Sequence, residues 1–251
     1  MVRIQTLANQ KGGVAKTTTC LNLGAALAAR GRRVLLVDLD PQANLTLGLG
    51  VNPYAEQATT YEVLLNPERG AGFAVQHIAD MLDLIPATLD MAAAELELAG
   101  KIGRETLMRE ALVPLHDAYD YILIDPPPSL GLFTLNALVA AAEVIIPLQV
   151  HIYALRGLAQ LQKTVKLVQK LNPRLRISGI VCTMVDRRNN LSVAVEGEIR
   201  ATFGDLVYTT VIPHNIRLAE APASGTPIST YDPTCAGAKA YAALAEEVDR
   251  G

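Results

Sequence analysis

Short apolar runs, several of them closing on an acid, alternate along this chain with longer stretches in which apolar residues recur every three or four positions. The runs at 3–9, 33–38, 82–86, 120–125, 143–149, 176–183 and 207–212 have the length and aliphatic character of buried strands. The periodic stretches at about 16–30, 60–65, 89–99, 104–115, 132–142, 154–171, 191–203 and 234–248 predict helices. Gly31 fits the cap of the first, and Asn172-Pro173 closes the one at 154–171. From Pro41 to about Pro53 the Gly- and Asn-containing segment reads as a loop. Strands that alternate with helices need crossover connections. The fold class is therefore α/β, a mostly parallel twisted sheet with helices on both faces. No repeat, low-complexity tract or linker breaks the pattern, so residues 1–251 read as a single domain.

Composition narrows the picture. Half of the residues are apolar but Trp is absent, so the core is aliphatic. No apolar run nears the roughly 18 residues needed to cross a bilayer, and the start lacks the basic and apolar regions of a signal peptide. Cys20, Cys182 and Cys235 are scattered without metal-ligand spacing, as thiols of a reducing cytoplasm are. A net charge of −3 by itself argues against nucleic acid. Its distribution argues otherwise. From Arg156 to Arg217 there are ten basic and four acidic residues, a local +6 that leaves −9 elsewhere.

The segment from Asn9 to Thr18 follows a strand and opens a helix, the context of a phosphate-binding loop. Gly12 and Gly13 allow close backbone approach to phosphate oxygens, and successive N–H groups around Val14 and Ala15 then point inward. Lys16 supplies a point charge for the β- and γ-phosphates, and the Thr17 hydroxyl, next to Thr18, suits Mg²⁺. The strict pattern G-x-x-x-x-G-K-S/T fails, because Gln10 and Ala15 hold its glycine positions. The deviant pattern K-G-G-x-x-K-S/T fits, with an additional lysine at Lys11. Asp38 and Asp40 leave the second strand two residues apart, where carboxylates can serve metal-bound water and an attacking water. Asp125 closes a buried strand and needs a cation or donors there. Phosphoryl transfer to water requires positioning and charge neutralisation rather than a covalent nucleophile.

These motifs resemble those of the ParA/MinD group of deviant P-loop ATPases, and the ParA/Soj branch in particular. Asp38-Leu39-Asp40-Pro41-Gln42 resembles its D-x-D-P-Q motif, Asp125 and the following Pro126 to Gly131 its metal-side acid and switch segment, and Ile212-Pro213-His214-Asn215 with Arg217-Leu218 its base-side segment. The resemblance covers nearly the whole chain. It implies binding of ATP and Mg²⁺ and an ATP-dependent homodimer in which Lys11 reaches the partner's nucleotide. By the same resemblance Lys16 and Asp40 serve hydrolysis, Asp38 and Asp125 support the metal through water, and Pro213 and Asn215 contact adenine. Ala15 stands where the family has Gly. A negative φ tolerates its methyl, a positive φ costs roughly 1 kcal/mol, and nucleotide binding is expected to survive either way. His214 stands where the family often has Arg.

Arg188 and Arg217 resemble DNA-contacting arginines of the family. Lys163, Lys166 and Lys170, spaced i, i+3, i+7, share one helix face that is either plainly solvated or turned to DNA. Phosphate contacts of this kind bind double-stranded DNA without sequence preference, and no base-reading motif is present. The implied function is slow, partner-stimulated ATP hydrolysis that segregates chromosome or plasmid DNA with a ParB-like centromere-binding protein, in the cytoplasm on the nucleoid. The alternatives are an ATPase that positions a protein cargo and a MinD-like membrane-cycling ATPase. The second would need a basic amphipathic tail, whereas the C-terminal stretch carries Glu246, Glu247 and Asp249. A cluster-bearing reductase on the same scaffold would need paired cysteines that this chain lacks.

Overall fold

The structure, a computed structural model, describes residues 2–55, 57–151 and 154–251. Eight strands form one sheet: β1 (Arg3–Leu7), β2 (Val34–Asp38), β3 (Gln76–Ala79), β4 (Leu82–Ile85), β5 (Tyr121–Asp125), β6 (Glu143–Gln149), β7 (Arg176–Val185) and β8 (Val207–Pro213). Their order is β3-β4-β2-β5-β1-β6-β7-β8, and every pairing but β3–β4 is parallel. The helices are α1 (Lys16–Ala29), α2 (Asn44–Gly48), α3 (Thr60–Leu65), α4 (Met91–Leu98), α5 (Leu107–Leu112) and α6 (Leu132–Ala140). Then come α7 (Ala154–Val168), α8 (Asn190–Phe203), α9 (Arg217–Glu220), α10 (Ile228–Tyr231) and α11 (Ala236–Arg250).

Because strand side chains alternate in direction, the inner strands feed two cores. Leu35 and Val37 of β2 join Ile122 and Ile124 of β5 against α3 to α8. Val34, Leu36 and Leu123 face the other way, with Leu23 and Leu27 of α1 and Leu244 and Val248 of α11. Leu35 and Leu36 are both fully buried, each contributing about 1.5–3 kcal/mol by leaving water. Parallel strands covered on both faces thus align their C-terminal ends along one edge, where such sheets hold ligands.

The structure amends several sequence expectations. β3 is an antiparallel edge strand whose residues are only partly buried or exposed, so it lacks the apolar run that marks the inner strands. The segment from Pro41 to Pro53 contains α2, despite its Asn and Gly, because Thr46 is anchored from outside the helix. The stretch at 104–115 resolves into α5 and a 3₁₀ turn at Val113–Leu115, where Pro114 cannot extend an α-helix. Helix α7 ends at Val168 rather than near 171. Both Leu171 and Asn172 return their N–H to the Val168 carbonyl, and Asn172 is held by the Leu138 and Ala141 carbonyls. Lys163 and Lys166 therefore lie on α7, whereas Lys170 lies in the turn beyond it.

Candidate nucleotide site

The loop between β1 and α1 is fixed from three sides. Asn9 donates to the Pro147 carbonyl (2.8 Å) and accepts from the Lys11 amide (3.0 Å), and Thr183 at the end of β7 donates to the Val14 carbonyl (3.1 Å). Gly13 (φ +71°) and Ala15 (φ +66°) both take left-handed backbone. Gly13 does so freely; Ala15 falls in the costly branch. Side chains added at Gly12 or Gly13 would meet no atom within 4 Å, so open space lies against the loop. Helix α1 begins without a capping side chain and without an acid in its first turn. Its first N–H groups and its dipole thus face that space uncompensated, the arrangement that attracts an anion.

Asp38 and Asp125 end neighbouring strands in register, side by side in the core. Asp38 is well supplied. It accepts from the Thr46 amide (2.9 Å) and hydroxyl (2.7 Å) on one oxygen and from the Asp40 amide (3.1 Å) on the other. Burial nonetheless raises its pKa to about 7. Asp125 is not supplied. Thr17 lies near enough to ease its ionisation, but neither oxygen has a partner in hydrogen-bond geometry among the described residues. Burial first, and then the charge of Asp38, push its pKa to about 8. Lys16, 8% exposed, has its pKa lowered by burial, an effect that Asp125 and Asp40 oppose. A buried, unpartnered carboxylate beside a threonine hydroxyl and a lysine is the donor set a hard divalent cation and a polyphosphate complete.

A cleft of about 650 Å³ is lined by Lys16, Thr17 and Asp40, whereas Asp38 and Asp125 are buried and do not line it. Gly12, Lys16 and Thr17 form one wall, Asp40 and Gln42 a second, and Pro128 of the segment after Asp125 borders it. The Asp40 carboxylate is oriented by the Gln42 amide (2.9 Å). An adjoining recess of about 270 Å³ is lined by Pro213, His214 and Asn215 and shares Ala15, Thr18 and Met184 with the main cleft. The phosphate loop and the segment at 212–218 thus line two adjoining hollows that share residues. Lys11 stays outside it, exposed, with its ammonium on Gln149 (2.8 Å).

The basic candidates are dispersed. Arg188 follows β7 and Arg217 follows β8, the two strands at one end of the sheet, while Lys163 and Lys166 lie on α7. Neither arginine is unpaired. Arg188 forms a two-point contact with Asp186 (3.0 and 3.1 Å), and Arg217 contacts Glu220 at 2.8 Å and Asp232 at 3.7 Å. Sequence reasoning missed Met184, which has left-handed backbone (φ +54°) and borders both hollows, and Thr46, which holds Asp38. A methionine inside an apolar run carries no local sign of such a role.

A family model described as an AAA domain matches residues 2–177. The chain is 50% identical over 249 residues to the sporulation initiation inhibitor protein Soj of Bacillus subtilis, covering 99% of this chain and 98% of Soj. It is 49% identical over 250 residues to the chromosome partitioning protein ParA of Caulobacter vibrioides, covering 98% and 94%. Among solved structures, a Mycobacterium smegmatis protein described as cobyrinic acid a,c-diamide synthase with bound ADP and magnesium superposes with a TM-score of 0.86. It is 40% identical and is matched over 100% of this chain and 95% of its own.

Proposed function

The chain belongs to the ParA/Soj family of partitioning P-loop ATPases, and from that premise we propose that it is an ATP-dependent dimerising ATPase that binds DNA non-specifically and segregates it with a ParB-like partner. The whole chain acts as a single ATPase domain. ATP lies along the cleft, with its phosphates on the loop from Gly12 to Thr18 and its base in the recess of Pro213 and Asn215. Lys16 neutralises the β- and γ-phosphates. Mg²⁺ would be held by Thr17 and, through water, by Asp125, and when bound would offset the charge of the phosphate oxygens. Asp40, at the cleft wall, orients the attacking water. Asp38 acts on the metal's water shell from behind, through the loop that it holds by the Asp40 amide and Thr46.

The observation that carries the dimer is Lys11. It is the additional lysine of the deviant loop, yet it lies exposed on Gln149 and outside its own cleft. Its reach is available to a second copy, where it would stabilise charge developing on the partner's γ-phosphate. The DNA contacts are assigned to Arg188 and Arg217, with Lys163, Lys166 and Lys170 as outlying phosphate contacts. What supports DNA over a protein cargo is that the Caulobacter ParA, matched almost end to end, is named a chromosome partitioning protein. A membrane cycle is disfavoured by α11, which buries Tyr241, Leu244 and Val248 and ties Glu247 to the Thr209 and Thr210 amides. No described helix is long and apolar enough to cross a membrane.

The test is binding to arbitrary duplex DNA with ATP, ADP or no nucleotide, across a salt series. ATP alone should support binding, with affinity falling steeply as salt rises. Arg217→Ala should weaken it on every sequence alike, and Lys11→Ala should abolish both dimer and DNA binding. Binding indifferent to nucleotide and to Arg217 overturns the DNA assignment. A chain that stays monomeric with a non-hydrolysable ATP analogue and magnesium overturns the dimer.

A further inference from the structure

The segment from Pro126 to Gly131 joins Asp125 to α6, and Pro128 within it borders the cleft. What holds this segment is set by the first turn of α6. Thr134 reaches back to the carbonyls of Pro127 (3.1 Å) and Ser129 (2.5 Å). Any shift of that turn therefore moves the cleft border and the chain leading from Asp125. Yet α6 has no cap of its own, because its N-cap residue is Gly131. The cap comes from a distant helix: Glu95 of α4 accepts the Leu132 N–H at 3.2 Å.

Gly131 explains how the carboxylate gets there. Its φ of −82° is open to any residue, so backbone freedom is not the reason for glycine. The reason is space. A side-chain carbon at position 131 would stand 2.7 Å from Glu95 Oε1. The missing side chain and the arriving carboxylate are one device. The charge also suits the place, since a carboxylate at a helix N-terminus meets the positive end of the dipole. Asn136 adds a second tie, accepting from the Met108 amide and donating to the Arg104 carbonyl, so α6 is registered against the whole α4–α5 region.

We propose that Glu95 is a positioning residue for ATP hydrolysis: it latches the first turn of α6, and through Thr134 it sets the segment between Asp125 and the cleft. It touches neither nucleotide nor metal. The proposal rests on the ATPase reading above.

The experiment measures ATP turnover by the full chain with magnesium, over a range of ATP concentrations, for Glu95→Ala, Glu95→Gln, Gly131→Ala and the Glu95→Ala/Gly131→Ala double variant. Thermal melts of each run alongside. Glu95→Ala deletes the latch and should lower kcat roughly tenfold with KM for ATP little changed, whereas Gly131→Ala crowds a carboxylate that ends a flexible, exposed side chain and should cost less. Glu95→Gln keeps an oxygen that can accept the Leu132 N–H and should recover most of the loss. The double variant should be no slower than the slower single, because both remove one contact. Losses that multiply in the double variant, or a Glu95→Ala enzyme with unchanged kcat, overturn the latch alone. A loss of kcat that tracks a lowered melting temperature and is not recovered by Gln reduces it to a structural contact. An unmodified chain that neither binds nor turns over ATP overturns the ATPase reading and the latch with it.

Discussion

At the N-terminal ends of β1, β2, β5 and β6, carboxylates and guanidinium groups are matched. Asp249 takes Arg30, Arg32 and Tyr121, Asp120 takes Arg33, and Glu143 takes Arg3, Gln5 and Arg176. At the C-terminal ends of β1, β2 and β5 the matching stops. Asp38, Asp40 and Asp125 converge with Lys16 as the buried cation near them, and Asp125 has no partner in hydrogen-bond geometry among the described residues. Left-handed backbone at non-glycine residues concentrates by the cleft, which Ala15 and Met184 line, with Ala43 between the lining residues Gln42 and Asn44; Met81, beside Val34 at the other edge, is the exception among the described residues. One edge of the sheet is organised for stability. The other keeps charge and strain uncompensated until a ligand arrives.

The largest effect should come from neutralising the unmatched acid. Asp125→Asn is expected to lower magnesium-dependent ATP turnover by roughly 100-fold or more, since it removes the metal-side carboxylate. The same change should stabilise the nucleotide-free protein at pH 7, by about 1–3 kcal/mol, because the buried group no longer resists ionisation. Thermal melting without nucleotide checks the second half. A nucleotide-free variant less stable than its parent would mean that Asp125 is already compensated, and the contrast between the edges would be lost.

Much of the cleft edge was legible before the fold was known, because its chemistry is local. Lys11, Gly12, Gly13, Lys16 and Thr17 lie within seven consecutive residues, and Asp38 and Asp125 each close an apolar run that had to be a strand. What was not legible depends on distant partners. Asp38 is spoken for by Thr46, in a helix that its own composition disfavours. Lys11 rests on Gln149. The cap of α6 comes from Glu95, thirty-seven residues before Leu132. The matched edge was invisible for the same reason: Asp249 meets Arg30 and Arg32 across more than two hundred residues of chain. The sign of φ at Ala15 is a property of the loop's anchors at Pro147 and Thr183, not of the alanine.

The next contrast is in pH. At the matched edge the Arg32 hydrogen bond holds Asp249 below the usual carboxylate range, and Arg33 does the same for Asp120. Groups with lowered folded pKa add stability above their unfolded values, near pH 4, and lose it as pH falls. At the cleft edge burial raises Asp38 to about 7 and Asp125 to about 8. The sign is then reversed. The folded chain must retain protons that the unfolded chain releases, so this contribution is full below pH 4 and is lost as pH climbs toward 8. The nucleotide-free protein should therefore lose stability on both sides of the mildly acidic range. Asp249→Asn should flatten the acid limb and Asp125→Asn the neutral-to-alkaline limb, read as melting temperature against pH. Identical limbs in parent and variants would refute the assignment of each limb to its edge.

The smallest effect tests strain rather than charge, and it does so with one chemical change made at two places. Ala15 sits at φ +66°, where a methyl is opposed by the following carbonyl. Ala15→Gly should therefore stabilise by up to about 1 kcal/mol, a rise in melting temperature of roughly 2–4 °C for a chain of this size. Ala26→Gly, three turns along α1 in regular helix, should cost about 1 kcal/mol or more, because glycine there adds chain entropy to lose and removes a buried methyl. Opposite signs within one helix and its cap would show that the cleft edge tolerates strain that the rest of the element does not. ATP binding should persist in Ala15→Gly, since the phosphate-facing N–H groups belong to the backbone and keep their direction. If the melting temperature falls instead, Ala15 is not strained, and uncompensated charge alone sets the cleft edge apart.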